Sequence, residues 1–76
     1  MSIRSAADLK VGEKGVVREF TGDDIPMKLL EMGCLPGVEM ELKFIAPLRD
    51  PLYIRVADYH LAIRKETAAQ ILLEVG

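Results

Sequence analysis

Apolar and polar residues alternate most regularly from Val38 to Phe44, where Val38, Met40, Leu42 and Phe44 are separated by Glu39, Glu41 and Lys43. A period of two is that of a strand with one face in a core and the other in water. A second run follows, with Leu52, Ile54 and Val56 on one face and Tyr53 and Arg55 on the other. The segment between them, Ala46-Pro47-Leu48-Arg49-Asp50-Pro51, carries two prolines that bias their predecessors toward extended backbone, so the pair reads as an antiparallel hairpin. This register predicts Val38, Met40, Leu42, Ile54 and Val56 in the core and Glu39, Glu41 and Arg55 in solvent.

Upstream, a turn over Asp8–Gly15 leads into a first strand at about Gly15–Phe20. Val17 and Phe20 are its strongest apolar positions, and their spacing of three puts them on one face only if the strand carries a bulge or coils strongly. Gly22-Asp23-Asp24 breaks it, and Asp24 is placed to cap a helix over Ile25–Met32, with Pro26 in the first turn where its missing donor costs little. Ile25, Leu29 and Met32 form the apolar stripe of that helix, widened by Met27 and Leu30. Gly33 stands where a left-handed residue stops a helix, and Pro36-Gly37 fits the central pair of a type II turn, so Gly33, Pro36 and Gly37 are expected to be structural turn residues.

Downstream, Ala57-Asp58-Tyr59-His60 reads as a turn, with Asp58 the residue suited to a left-handed backbone. Leu61–Arg64 resumes an extended path, Lys65–Gln70 favours a short helix, and Ile71–Val75 closes the chain as a strand. The expected fold is mainly β: a small SH3-like barrel with two short helices, formed as a single domain over residues 1–76.

Composition narrows the function. The 76 residues carry a formal charge of −2 with no run of Lys or Arg, which disfavours nucleic acid, since counterion release from phosphates needs a concentrated basic surface. One cysteine excludes an intramolecular disulfide scaffold, so apolar packing must hold the fold. No apolar run approaches the roughly 18 residues of a membrane span, and the first residues lack a signal-peptide pattern, so a cytoplasmic chain without direct membrane insertion is expected.

Catalysis has no visible support. There is no phosphate-binding Gly-x-x-x-x-Gly-Lys loop and no Cys-x-x-Cys or His-x-x-x-His spacing. Cys34 and His60 are weak metal candidates, because a stable site takes three or four such groups. A lone cysteine is more simply a buried packing residue and a lone histidine in a turn a solvated one. The expectation is therefore no cofactor, or at most weak binding of Fe(II) or another divalent metal. Met27, Leu30, Met32 and Leu35 cluster around the helix and turn with more apolar surface than one helical face can bury. Met27, Leu30 and Leu35 are the expected partner-binding residues, with Arg49 and Tyr59 on neighbouring loops as a charged and an amphipathic rim.

Taken in order, Gly33-Cys34-Leu35-Pro36-Gly37, Ala46-Pro47-Leu48-Arg49-Asp50-Pro51 with its following strand, and Leu61-Ala62-Ile63-Arg64 leading into Ala68 resemble the FeoA family. These are small cytosolic proteins of bacterial ferrous-iron uptake, related in fold to the SH3-like domain of iron-dependent repressors. The resemblance runs from Leu9 to Val75. Arg49 and Asp58 stand where that family commonly has glycine. The resemblance implies a non-enzymatic accessory to the ferrous iron permease FeoB, whose cytosolic part carries a GTPase domain. Two other readings fit the same residues: a metal-responsive sensor or carrier that binds Fe(II) directly, and a free-standing SH3-like regulatory domain contacting a proline-rich segment.

Overall fold

Met40 and Leu42 on one strand face Val56 and Ile54 on the next, and all four are shielded from water. That pairing is central to a six-stranded antiparallel sheet in a computed structural model of the chain, which describes residues 2–22 and 25–76. The strands are β1 (Ser2–Ser5), β2 (Lys14–Phe20), β3 (Glu39–Ile45), β4 (Leu52–Val56), β5 (Tyr59–Ile63) and β6 (Ile71–Val75). Two short helices, α1 (Met27–Glu31) and α2 (Lys65–Ala68), and a 3-10 turn at Ala6–Asp8 complete the fold. The spatial order β1-β6-β2-β3-β4-β5 leaves β1 and β5 as the edges.

The inward face joins Val17, Met40, Leu42, Leu52, Ile54, Val56, Ile63, Ile71, Leu73 and Val75 into one core, plugged by Ala6, Leu9, Leu29, Cys34 and Ala68. Among the described residues no charged side chain enters it. Each large aliphatic member contributes about 1.5–3 kcal/mol by leaving water, which is how a chain without a disulfide holds together.

Two bulges set which apolar residues reach this core. In β2 the register against β6 shifts between Val17 and Glu19, so Val17 is buried and Phe20 still packs partly against the core. The bulge that the spacing of Val17 and Phe20 required is therefore present. In β3 the register shifts between Leu42 and Phe44, which overturns the expected inward position of Phe44. Phe44 is half exposed and stacks on Tyr53, with ring centroids 4.3 Å apart. Val38 lies before β3 and is half-buried, short of the full burial expected.

Glu41 and Arg55 are also more covered than the alternation predicts. On the outer face Arg55 Nη2 donates to Glu39 Oε1 at 2.9 Å and to Glu41 Oε1 at 3.4 Å, while Lys43 Nζ lies 3.6 Å from Glu41 Oε2. The groups shield one another without entering the core.

The sequence offered no sign of β1. Its burial is slight and Ile3 is exposed, so no period-two pattern marks it. It pairs with β6, and Arg4 forms an ion pair with Glu13, whose other oxygen accepts the Lys10 N–H at 2.9 Å. The helices are shorter than expected. Pro26, in extended conformation, is the cap of α1, and the capping role assigned to Asp24 lies outside the described residues.

At the start of α2, Asp50 Oδ1 accepts the Lys65 N–H at 2.9 Å from a loop 15 residues away. That loop is closed by Arg49 N–H to Ala46 O at 2.7 Å and Ala46 N–H to Pro51 O at 3.1 Å. The turn between β4 and β5 is only Ala57-Asp58. Ala57 takes the left-handed backbone (φ 52°) in place of Asp58, and Tyr59 and His60 belong to β5, not to the turn. A two-residue hairpin loop with positive φ at its first central position matches the twist of its strands, which explains the shift.

Candidate partner-docking surface

The helix α1 ends in a tight backbone lock. Cys34 N–H donates to Leu29 O at 3.0 Å and Gly33 N–H to Leu30 O at 3.1 Å, while Gly33 has φ 94°. This is the paired bonding of a Schellman stop, and its usual apolar contact is present in the burial of Leu29 and Cys34. Two residues on, Val38 N–H donates to Leu35 O at 3.1 Å across Pro36-Gly37, and Gly37 has φ 94°, as a type II turn requires. Gly37 N–H then donates to Val17 O at 2.7 Å, tying the turn to β2. The stretch from the end of α1 to Gly37 is thus fixed by backbone hydrogen bonds although it is neither strand nor helix.

What it displays is apolar. Met27 is 68% exposed and Leu35 47%, with Leu30 half-buried between them in sequence. Tyr59 is 52% exposed and Arg49 is exposed, but the structure does not bring these two together. Leu52 pairs with Ile63 beside the Arg49 loop, whereas Val56 pairs with Tyr59 at the far end of the same hairpin. They are separated by about 13 Å of strand. Arg49 also has φ 69°, a left-handed backbone that glycine would adopt without strain.

Cys34 is fully buried, and burial pushes its thiol up to about 11. His60 is exposed on β5, opposite Arg55. Among the described residues no group of three His, Cys, Asp or Glu side chains gathers in a way that would hold a metal ion.

One feature escaped the sequence. A groove of about 460 Å³ runs between α1 and β5, lined on one side by Pro26, Lys28, Leu29 and Met32 and on the other by His60 to Arg64, with Thr67 at its end. Its apolar residues belong to two elements far apart in the chain. Their adjacency is a product of the tertiary fold, so no local motif announces it.

The profile of the FeoA domain matches residues 5–75. The chain belongs to the FeoA family. A curated relative, the Fe(2+) transport protein A/Fe(2+) transporter FeoB fusion protein of Porphyromonas gingivalis, is 37% identical over 70 residues. That alignment covers 91% of this chain and 8% of the relative, so the chain spans a small fraction of that protein's length.

Among solved structures, the FeoA-like protein of Clostridium acetobutylicum superposes with a TM-score of 0.87 at 28% identity, covering 99% of this chain and 88% of that one. The FeoA of Stenotrophomonas maltophilia, solved with zinc and described as a prokaryotic SH3 domain protein, gives 0.78 at 23% identity over 92% of this chain and 88% of its own. The latter likeness bears on the fold alone. It agrees with the SH3-like, mainly β architecture expected from the pattern. No helix among the described residues is long and apolar enough to cross a membrane.

Proposed function

We propose that this FeoA-family chain is a non-catalytic, cytosolic accessory module of ferrous iron uptake that docks on the FeoB permease, on its cytosolic or GTPase part, and modulates Fe(II) transport. The observation that carries this reading is the relative in which an FeoA segment and an FeoB transporter are one polypeptide. Covalent linkage raises the effective concentration of two modules and favours a working contact between them.

The geometry supports a docking role. The core is filled by other residues, yet Met27 and Leu35 remain in water on a backbone fixed by two turns. Rigid apolar anchors of this kind lose little conformational freedom on binding. Docking modulates transport only through unequal affinity for two permease states, so the module shifts the equilibrium by that difference.

The metal-sensor alternative has less support. Cys34 is walled off in the core, and His60 has no second and third ligand beside it among the described residues. The test is binding of the purified chain to detergent-solubilised permease, with and without guanine nucleotide and ferrous iron. A saturable complex whose affinity changes with nucleotide supports modulation. No complex under any of these conditions overturns the docking reading.

A further inference from the structure

Four consecutive residues of β5, His60 to Ile63, line the groove together with Arg64, which caps α2. Consecutive strand residues point to opposite faces, so a wall made of all four is the strand's edge and not one of its faces. β5 is an edge of the sheet, paired only with β4.

The hairpin register tells which backbone groups are free there. Val56 and Tyr59 close a two-residue turn, so pairs 56–59, 54–61 and 52–63 exchange hydrogen bonds, and pairs 55–60 and 53–62 direct theirs away from one another. The N–H and C=O of His60 and Ala62 therefore point out of the sheet into the groove. Among the described residues no backbone partner outside the sheet is found for either. An open row of donors and acceptors beside an apolar wall is a template for an added strand.

Charge selects the occupant. The ionisable side chains on the groove are Lys28, His60 and Arg64, and among the described residues no carboxylate lines it. Asp50 lies near, with Oδ1 accepting the Lys65 N–H and Oδ2 3.6 Å from Arg64 Nε, so it offsets part of the Arg64 charge and leaves Lys28 the stronger cation. A second copy of this chain adding β5 to β5 would bring together two grooves lined by Lys28 and Arg64 with no lining carboxylate among the described residues to meet them, which disfavours self-pairing. A helix would leave the open edge unpaired, because its own backbone groups are already bonded.

Resting on the docking reading above, we propose that this groove receives an extended segment of the permease, apolar residues alternating with carboxylates, added as a strand along the free edge of β5. Its apolar side chains pack on Leu29 and Met32, and its carboxylates meet Lys28 and Arg64. Met27 and Leu35, outside the groove lining, make the remainder of the contact.

The test uses Ala62→Pro. The Ala62 N–H serves no bond to β4, so proline removes a groove donor from an exposed edge position while sparing the ladder. With detergent-solubilised permease, wild-type chain binds and hydrogen exchange over residues 60–62 slows. Ala62→Pro, folded by circular dichroism, binds about tenfold or more weakly, the scale of lost strand pairing. The charge reversal Lys28→Glu with Arg64→Glu weakens binding to a similar degree, and it decides the matter if the proline variant fails to fold.

Wild-type binding with unchanged exchange at residues 60–62, or undiminished binding by the folded variants, overturns the added strand and leaves docking intact. Absence of wild-type binding overturns the docking reading itself. A dimer seen by sedimentation that Ala62→Pro dissolves makes the occupant a second copy and overturns the proposal.

Discussion

Leu42 and Ile54 are direct partners across the β3–β4 ladder, and neither exposes more than 1% of its surface. The contact lies just before the bulge that turns Phe44 outward, so beyond Leu42 β3 sends no further residue into the core. Leu42→Ala is expected to cost about 2–5 kcal/mol, as truncation leaves both lost burial and a cavity. Urea melts read it directly. A loss under about half a kcal/mol, the level of a neutral surface change, would contradict the burial.

Leu30 is half-buried and lies in sequence between the exposed Met27 and Leu35. Leu30→Glu is expected to leave the monomer folded and weaken permease association by about 2 kcal/mol or more, the scale of an interface hot spot. Arg49→Ala, on the exposed loop before β4, should act less and in a salt-dependent way, as a charge at an interface rim would. Titrations against solubilised permease at two ionic strengths separate the two. Equal binding by a folded Leu30→Glu chain would remove Leu30 from the surface, and global unfolding would assign it to the core.

Arg49 holds a left-handed backbone while its N–H closes the loop onto Ala46. An L-residue with a Cβ pays about 1–2 kcal/mol in that region, of which the greater freedom of glycine in the unfolded chain returns part. Arg49→Gly is expected to stabilise the domain by a few tenths to about 1 kcal/mol. A lower melting temperature for Arg49→Gly would show that the guanidinium contributes more than the backbone strain.

Burial would raise the Glu41 carboxyl, but Lys43, the hydrogen bond from Arg55, and Lys14 together hold it below its ordinary 4.5. Glu13 is lowered as well, first by the hydrogen bond from the Lys10 N–H and then by Arg4. Carboxylates with a lower pKa in the folded state stabilise it above their unfolded pKa, and that contribution is lost as pH falls through the folded value. Stability should therefore decline below about pH 4.5, and the double change Glu13→Gln with Glu41→Gln should flatten that limb. Identical acid limbs in denaturant melts would mean that other groups control it.

The Cys34 thiol, pushed up to about 11 by burial, should react with iodoacetamide at neutral pH far more slowly in the native protein than in urea. Anaerobic calorimetry with Fe(II), and with zinc, is expected to show weak or no binding. A tight stoichiometric site abolished by Cys34→Ala would favour the sensor reading over docking.

Local chemistry carried much of this fold. Gly33 and Pro36-Gly37 announce their turns because few other residues adopt those backbones, and Leu52–Val56 announces β4 because all three inward residues are buried. Phe44 misled because a bulge is invisible to simple alternation, and β1 was silent because an exposed edge strand needs no pattern. The surface divides in the same way. Met27 and Leu35 are exposed as their sequence neighbourhood suggests, whereas Arg49 and Tyr59, on loops close in sequence, are held by the register at opposite ends of a hairpin. The groove required knowing that β5 is an edge and that α1 lies beside it.

Ser2 and Val75 are ladder partners in β1 and β6, so the polypeptide enters and leaves this fold at neighbouring points, about 5 Å apart. A bead strung in that way is held on a single pivot. Grafted into a larger protein, it needs only a short tether on either side and can swivel about that point without unravelling its sheet. The groove belongs to the opposite margin of the strand order, at β5, while the attachment lies at β1 and β6. The point of attachment thus lies on the margin of the strand order that the proposed groove does not use.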